Sequence, residues 1–441
     1  MNVLGMILPT KIEVVREILS HKSMEDFNKG FAYKVSHPLI GDSVLSTSRE
    51  QWAPQRPIVE RGFAHEVVGK SVPKIVQTAN ELADKWAARA RSSRNEAVQD
   101  VREDMLRLTM DVIGRAAFGY DFNSTTSAEA PLYEPFVTIL YTLERRSQYI
   151  HEHLMRNIPF LERNKQLNKA IGKLNELVEQ IQKQRIGESP DQKPKREVDF
   201  LDMLLKNGDM SPKLITDNIK TLLFAGHDTT GAALAWFFYL LAKHPEAQRR
   251  VRSEILQKFG KNGDPRYEEL EQVHYLNACL LETLRLYPSA GFMRRPRHEV
   301  EIGGHKLPAH CEILFLPYLM HRDDQYWGPQ ADEFIPDRFL NLGFEGSASA
   351  NPEVAFRMDS LQSRIARISK DKAYFPFSLG PRNCVGRPLA LAELRVVAIK
   401  LLQRFSFRLT DDKDFAEVPL LTLTLNPKSI RLVPVLMDDE V

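Results

Sequence analysis

The chain has 441 residues, 43% of them apolar, with 60 Lys and Arg against 58 Asp and Glu. That length can bury a large core, and the balanced charge gives no ground for a nucleic-acid partner, which would want a basic excess. Three cysteines, Cys279, Cys311 and Cys384, are too few and too widely spaced for a disulfide framework or a zinc site. At the start of the chain, Val3 to Pro9 is too short an apolar run to span a membrane. Residues 11–20 predict a short helix, with Ile12, Val15, Ile18 and Leu19 at helical spacing. Residues 21–48 read as loop-rich. Trp52 and Arg56, four apart, share one helix face, and on the residues alone they read as an amphipathic patch with a buried Trp. The alternating pattern over 71–185 predicts several packed helices, and the polar stretch 184–199, with two prolines, an exposed linker.

Ser211 and Pro212 open the longest predicted helix, which runs to about Lys243 with Ser as N-cap and Pro at the first position. Its apolar stretch contains His227, Asp228 and two threonines, all costly in lipid, so it reads as a buried core helix. The middle, Ala225 to Gly231, carries two glycines and two threonines that weaken a helix. A local distortion or groove is expected there. Small-residue packing would account for the glycines, but a buried Asp228–Thr229 pair needs partners. The next helix, Glu268 to Tyr287, places Glu282 and Arg285 three apart on one face. Arg294 to Leu316 reads as short strands with a hairpin turn at Gly303-Gly304. Residues 341–372 are polar and read as an insertion without a catalytic role.

The loop from Phe377 to Gly386 is the most distinctive stretch. Gly380 and Gly386 allow a tight backbone beside something flat. Arg382, two positions from Cys384, favours the thiolate. The helix predicted from Pro388 to Leu402 turns its positive end toward that sulfur. Phe405–Leu409 and 420–436 then alternate like a terminal β-hairpin pair.

The pattern Phe377-x-x-Gly380-x-Arg382-x-Cys384-x-Gly386 resembles the haem-binding signature of the cytochrome P450 family at all its fixed positions. The resemblance implies a mainly α cytochrome P450 fold with a smaller β region, as a single domain over 1–441. By the same resemblance 341–372 is an insertion, and the N-terminal anchor and first strand of the family are expected to be absent. It implies haem b, ligated through the Cys384 thiolate and framed by Phe377, Arg382 and Gly386. Trp52 and Arg56 match the family's contacts to one propionate, and Arg294, or the adjacent Arg295, the contact to the other. Ala225 to Thr230 resembles the oxygen-activation motif, in which Thr229 serves oxygen activation, Asp228 relays protons, and Ala225 and Gly226 leave room for the ligand. Glu282 and Arg285, with Arg338 in Pro336-Asp337-Arg338-Phe339, resemble the ion network that locks the cysteine loop. Phe224, Ala225, Ser289 and Phe292 fall where the substrate pocket would be.

The implied function is monooxygenation: one atom of O₂ enters a lipophilic small molecule by hydroxylation or epoxidation. Electrons would come from NADPH through cytochrome P450 reductase, for which Arg387, Arg395 and Lys400 form either a basic docking face or simply a solvated helix face. The long separation of Thr229 from Cys384 resembles the eukaryotic type of the endoplasmic reticulum membrane, cytoplasmic face, with peripheral membrane contact. Two other readings are a haem-thiolate isomerase, dehydratase or peroxygenase on the same fold, and a non-catalytic haem-binding protein. An intact Asp228–Thr229 pair argues against both.

Overall fold

The computed structural model describes residues 6–20, 24–127, 133–187, 198–206, 210–341, 365, 368–369, 373–410, 420–421, 424–427 and 429–437. Most of the expected linker and most of the expected insertion lie outside them. The N-terminal part runs β1 (Met6–Ile7), α1 (Ile12–Leu19), β2 (Phe27–Lys29), α2 (Phe31–Ile40), α3 (Arg49–Arg61) and α4 (His65–Ser92). Next come β3 (Gln99–Asp100), α5 (Val101–Ile113), α6 (Tyr133–Gln148), α7 (Ile150–Leu154), α8 (Glu162–Ile186), α9 (Phe200–Leu205), α10 (Pro212–Lys243), α11 (Pro245–Phe259) and α12 (His274–Leu286). The strands β4 (Phe292–Pro296), β5 (Val300–Ile302), β6 (His305–Leu307) and β7 (Glu312–Phe315) follow. Three short helices, α13 (Pro317–Met320), α14 (Asp324–Trp327) and α15 (Asp337–Asn341), lead to α16 (Arg387–Arg404). The chain closes with β8 (Phe405–Leu409), β9 (Leu420–Leu421), β10 (Leu425–Asn426) and β11 (Arg431–Leu436).

α10 organises the helical body. Ser211 Oγ accepts from Leu214 N–H at 3.3 Å and Pro212 opens the first turn. Its residues are buried almost all round, as expected of a central helix. α10 is continuous from 212 to 243, through the stretch where a local distortion or groove is expected. The glycines serve its packing on α5. A Cβ at Gly226 would stand 2.9 Å from Ile113 Cδ1, and one at Gly231 would stand 2.9 Å from Leu106 Cδ2. Gly226 therefore makes room for the neighbouring α5. Thr109 Oγ1 on α5 donates to the His227 carbonyl at 2.8 Å and fixes the register of the pair.

A four-stranded sheet, in the order β1-β7-β4-β2, stands beside this body. β1 runs parallel to β7, while β4 is antiparallel to both β7 and β2. Of the sheet expected to lack its first strand, two strands thus come from the first thirty residues. The loop-rich reading of 21–48 is corrected: β2 and α2 occupy much of it. Pro38 inside α2 and the brevity of β2 hide both from a periodicity argument. Ile12, Val15, Ile18 and Leu19 of α1 close a small second core with Ile313, Phe315 and Phe375. The helix expected over 268–287 is divided at Val273 into a 3₁₀ turn, Tyr267–Gln272, and α12. The hairpin at Gly303-Gly304 forms as expected, both glycines having positive φ. At the C-terminus β11 lies between β3 and β8, and β9–β10 form a separate hairpin over α10.

Candidate active site

Cys384 sits in a loop tied by its own backbone. Cys384 N–H donates to Phe377 O at 2.9 Å, and Asn383 N–H to Gly380 O at 3.1 Å. Gly380 has φ +69°, and a Cβ there would run into the Leu19 carbonyl, so glycine is required twice over. Arg56 grips the loop with both guanidinium nitrogens, on Asn383 O at 2.7 Å and Asn383 Oδ1 at 2.8 Å. Arg382 donates to Thr47 O at 2.9 Å and lies 4.3 Å over the Trp52 ring. Phe377 packs on the main core. Burial pushes the Cys384 thiol up, while the Gly386 N–H, the Arg56 and Arg387 charges and the Arg387 N–H draw it down. Gly386 is the N-cap of α16, so those two amides are the start of a helix aimed at sulfur.

Beside the loop four cations converge: Lys29 on β2, Arg56 on α3, Arg294 on β4, and Arg382. Lys29 and Arg294 are register partners on adjacent strands, a pairing that costs energy unless an anion compensates. Burial holds the Lys29 ammonium well below its usual range, and Arg294, Arg382 and Arg56 add to this. Burial, then Arg294 and Arg56, pull Arg382 down to about 9. Arg294 is also lowered by burial, with Tyr33 opposing. Such a cluster suits a group with two negative charges next to the cysteine. Lys29 was not visible as a site residue in the sequence. Only the β2–β4 pairing brings it there.

Above, the middle of α10 changes character. Ala225, Gly226 and Thr229 are half-buried between fully buried neighbours. Thr229 Oγ1 donates to Ala225 O at 2.8 Å, and Ser289 Oγ donates to Thr229 O at 2.8 Å. Asp228 is buried and takes its bonds from β10 and the residue before it. Its carboxylate accepts from Thr424 Oγ1 and from Asn426 Nδ2, the latter at 3.2 and 3.4 Å. Thr424 and Asn426 carry no motif and lie nearly two hundred residues away, so sequence reasoning missed them. Phe224 belongs to the main core. Phe292 turns into the small core, stacked on Phe315 at 5.0 Å between centroids.

Comparison with known proteins settles the family. The Cytochrome P450 family model matches residues 4–434. The chain belongs to the cytochrome P450 family. It is 31% identical over 441 residues to 11-oxo-beta-amyrin 30-oxidase of Glycyrrhiza uralensis, covering 96% of this chain and 77% of that one. A cytokinin hydroxylase of Arabidopsis thaliana is 27% identical over 95% of this chain and 77% of its own length. Secologanin synthase 1 of Catharanthus roseus is 28% identical over 94% and 76%. This P450 is therefore a haem-thiolate monooxygenase that uses O₂ on a small-molecule substrate. The residues fit the group: Cys384, exposed and two residues before the N-cap of α16, stands beside a cationic cluster of the right sign for haem's two propionates.

Behind the P450's cysteine loop lies a buried ion network. Arg285 and Glu282, both fully buried, pair at 2.6 and 2.9 Å. Arg338 Nε donates to the same carboxylate at 3.2 Å and the Ile335 N–H at 2.8 Å. Arg285 also donates to the carbonyls of His321 at 2.7 Å and Glu333 at 2.9 Å. His321 carries the link onward. Its Nδ1 faces the Arg285 carbonyl at 3.1 Å and its Nε2 accepts from Phe375 N–H at 2.9 Å, two residues before Phe377. Burial lowers the His321 pKa to about 3, so the ring is neutral and fit for that acceptor role.

One expectation is corrected here. Arg395 and Lys400 do not form an exposed basic face, for both are buried and paired, with Glu271 at 2.9 Å and Asp264 at 2.8 Å. Their spacing on α16 turns them toward the loop between α11 and α12, which a count of charges does not reveal. Among the described residues no helix is long and apolar enough to cross a membrane.

Proposed function

We propose that this P450 oxidises a lipophilic small molecule, with haem b held by Cys384 and by the cations Lys29, Arg56, Arg294 and Arg382. Haem with a thiolate ligand supplies O₂ activation, because electron density pushed from sulfur favours O–O cleavage. The chain's own residues bind, tune and protonate. Trp52, stacked with Arg382, closes the propionate side. The Gly386 and Arg387 amides favour the thiolate form of Cys384 against the burial that raises its pKa. The Glu282–Arg285–Arg338 network and His321 fix the loop that presents it. Thr229 and Asp228 pass protons inward from α10, and Ala225 and Ser289 frame the substrate side. The plant relatives named as an oxidase of 11-oxo-beta-amyrin and a hydroxylase of cytokinin support a lipophilic small-molecule substrate.

Electrons come from NADPH through a cytochrome P450 reductase on the cytoplasmic face of the endoplasmic reticulum, as membership of the family supports. The cysteine at the head of α16 is the observation that carries the reading. The carbon-monoxide difference spectrum of the reduced protein tests it. A thiolate-type Soret band is expected, and Cys384→Ser should abolish it. A thiolate-type band that persists in that variant would mean another ligand.

A further inference from the structure

A cavity of about 210 Å³ lies between the start of α5, the middle of α6 and β10, and it ends on α10 at Asp228. Among the described residues its walls include His227 and Asp228 but not Thr229. This follows from helix geometry, because consecutive side chains point about 100° apart. Two wall atoms are buried without a hydrogen-bond partner: the donor Nε of Arg102 and the acceptor Oδ1 of Asn426, a residue only 5% exposed. A buried donor and a buried acceptor on one cavity call for water. The volume has room for several molecules. The half-buried Glu144 also lines the cavity. Burial raises its pKa, the Gln148 bond, Arg102 and Arg145 oppose that rise, and Asp228 adds to it.

The hairpin fixes which way Asp228 faces. Thr424 Oγ1 donates to Asp228 Oδ2, and Asn426 Nδ2 bonds both carboxylate oxygens and Thr424 Oγ1, the last at 2.6 Å. The same strand is tied to the other side of α10. Leu425 N–H donates to Ser289 O at 2.7 Å, and Ser289 Oγ to Thr229 O at 2.8 Å. Thr229 Oγ1 meanwhile bonds its own helix at Ala225 O. Asp228 and Thr229 are thus neighbours in sequence that face different partners.

We propose that protons reach Asp228 through this cavity, and that Thr424 and Asn426 are positioning residues that hold its carboxylate toward the cavity water. Asp228 takes a proton passed along the cavity water, which regains one from bulk solvent past Glu144, and releases it on the Thr229 side. The chain's charge is unchanged over the cycle. This rests on the proton-relay reading of Asp228 above, and the test separates the two.

The test uses haem-loaded, substrate-free protein oxidising NADPH through an added reductase. O₂ reduced to peroxide takes two electrons and two protons, whereas O₂ reduced to water takes four of each. The NADPH-to-O₂ ratio therefore reads proton supply. Val137→Trp, which fills the cavity from its exposed side, and Thr424→Val should each lower that ratio toward the peroxide value. They should raise peroxide yield several-fold and change the solvent deuterium isotope effect. In the resting protein the infrared carboxylate band that disappears in Asp228→Asn should shift in Thr424→Val, which reports positioning without turnover. Wild-type ratios and isotope effects in both Val137→Trp and Thr424→Val, with Asp228→Asn altered, would overturn this proposal alone. Wild-type behaviour of Asp228→Asn would overturn the relay reading itself.

Discussion

The two sides of the site are built by different means. The cysteine side is a ten-residue loop held by its own amides, a positive-φ glycine and a buried ion network. The α10 side is an assembly of hydroxyls and one carboxylate, joined to Ser289, Thr424 and Asn426 across 60 to 198 residues of chain. The first arrangement is stiff, and its parts cannot be exchanged singly. The second consists of single hydrogen bonds, each worth about 1 kcal/mol net, which can be lost without unfolding the protein. The cysteine side therefore trades adaptability for fixed geometry, while the α10 side keeps groups that can reorient.

Substitutions should divide along the same line. The largest expected loss of stability is in the network behind the loop. Arg285→Ala leaves the Glu282 carboxylate fully buried beside Arg338 alone, which should cost about 3–5 kcal/mol. Expression without haem, or a sharply lowered melting temperature, is the expected result. A variant that melts within a degree or two of wild type would show that the network is not what holds the loop. Gly380→Ala comes next. It forces a side chain into a left-handed backbone and against the Leu19 carbonyl, at a cost of about 1–3 kcal/mol. Because the strain falls inside the loop, the thiolate-type spectrum should weaken with stability. A stable variant with a full thiolate band would mean that the loop relaxes more readily than its amide pattern implies.

On the other side, Thr229→Ala removes a hydroxyl that, among the described residues, bonds only its own helix. Stability should change by less than about 1 kcal/mol, while the fraction of reducing equivalents lost as peroxide rises. Peroxide yield and melting temperature measured on the same sample decide it. A large stability loss with unchanged coupling would reverse the comparison.

The same contrast explains what was legible in the sequence. Phe377 to Gly386, Ser211-Pro212 and the Glu282–Arg285 spacing are local, so backbone chemistry and helix periodicity are enough to find them. Lys29 was hidden because a three-residue strand has too little periodicity to declare itself, and its role exists only through pairing with Arg294. Thr424 and Asn426 were hidden for a related reason, since Asp228 must find buried partners but nothing local says which. By family resemblance Gly226, with Ala225, leaves room for a ligand. A glycine in a helix marks close approach without saying by what, and here Gly226 is approached by Ile113. Arg395 and Lys400 failed in the other direction, because composition counts charge but not the acids that face it.

The smallest expected effect lies within the stiff half. Glu393 on α16 is buried, its Oε1 has no hydrogen-bond partner, and burial alone raises its pKa well above the usual carboxylate range. The folded protein thus binds a proton that the unfolded chain releases near pH ~4.3. The sign follows from linkage: below that pH the group carries no penalty. As pH rises toward the raised folded value, unfolding releases the proton and stability falls. Glu393→Gln keeps the shape and removes the titration. Its melting temperature should match wild type at low pH and exceed it by a growing margin as pH rises. A margin independent of pH would mean that Glu393 is ionised in the fold and compensated by a partner. The helix behind Cys384 would then be held by a charge as well as by packing.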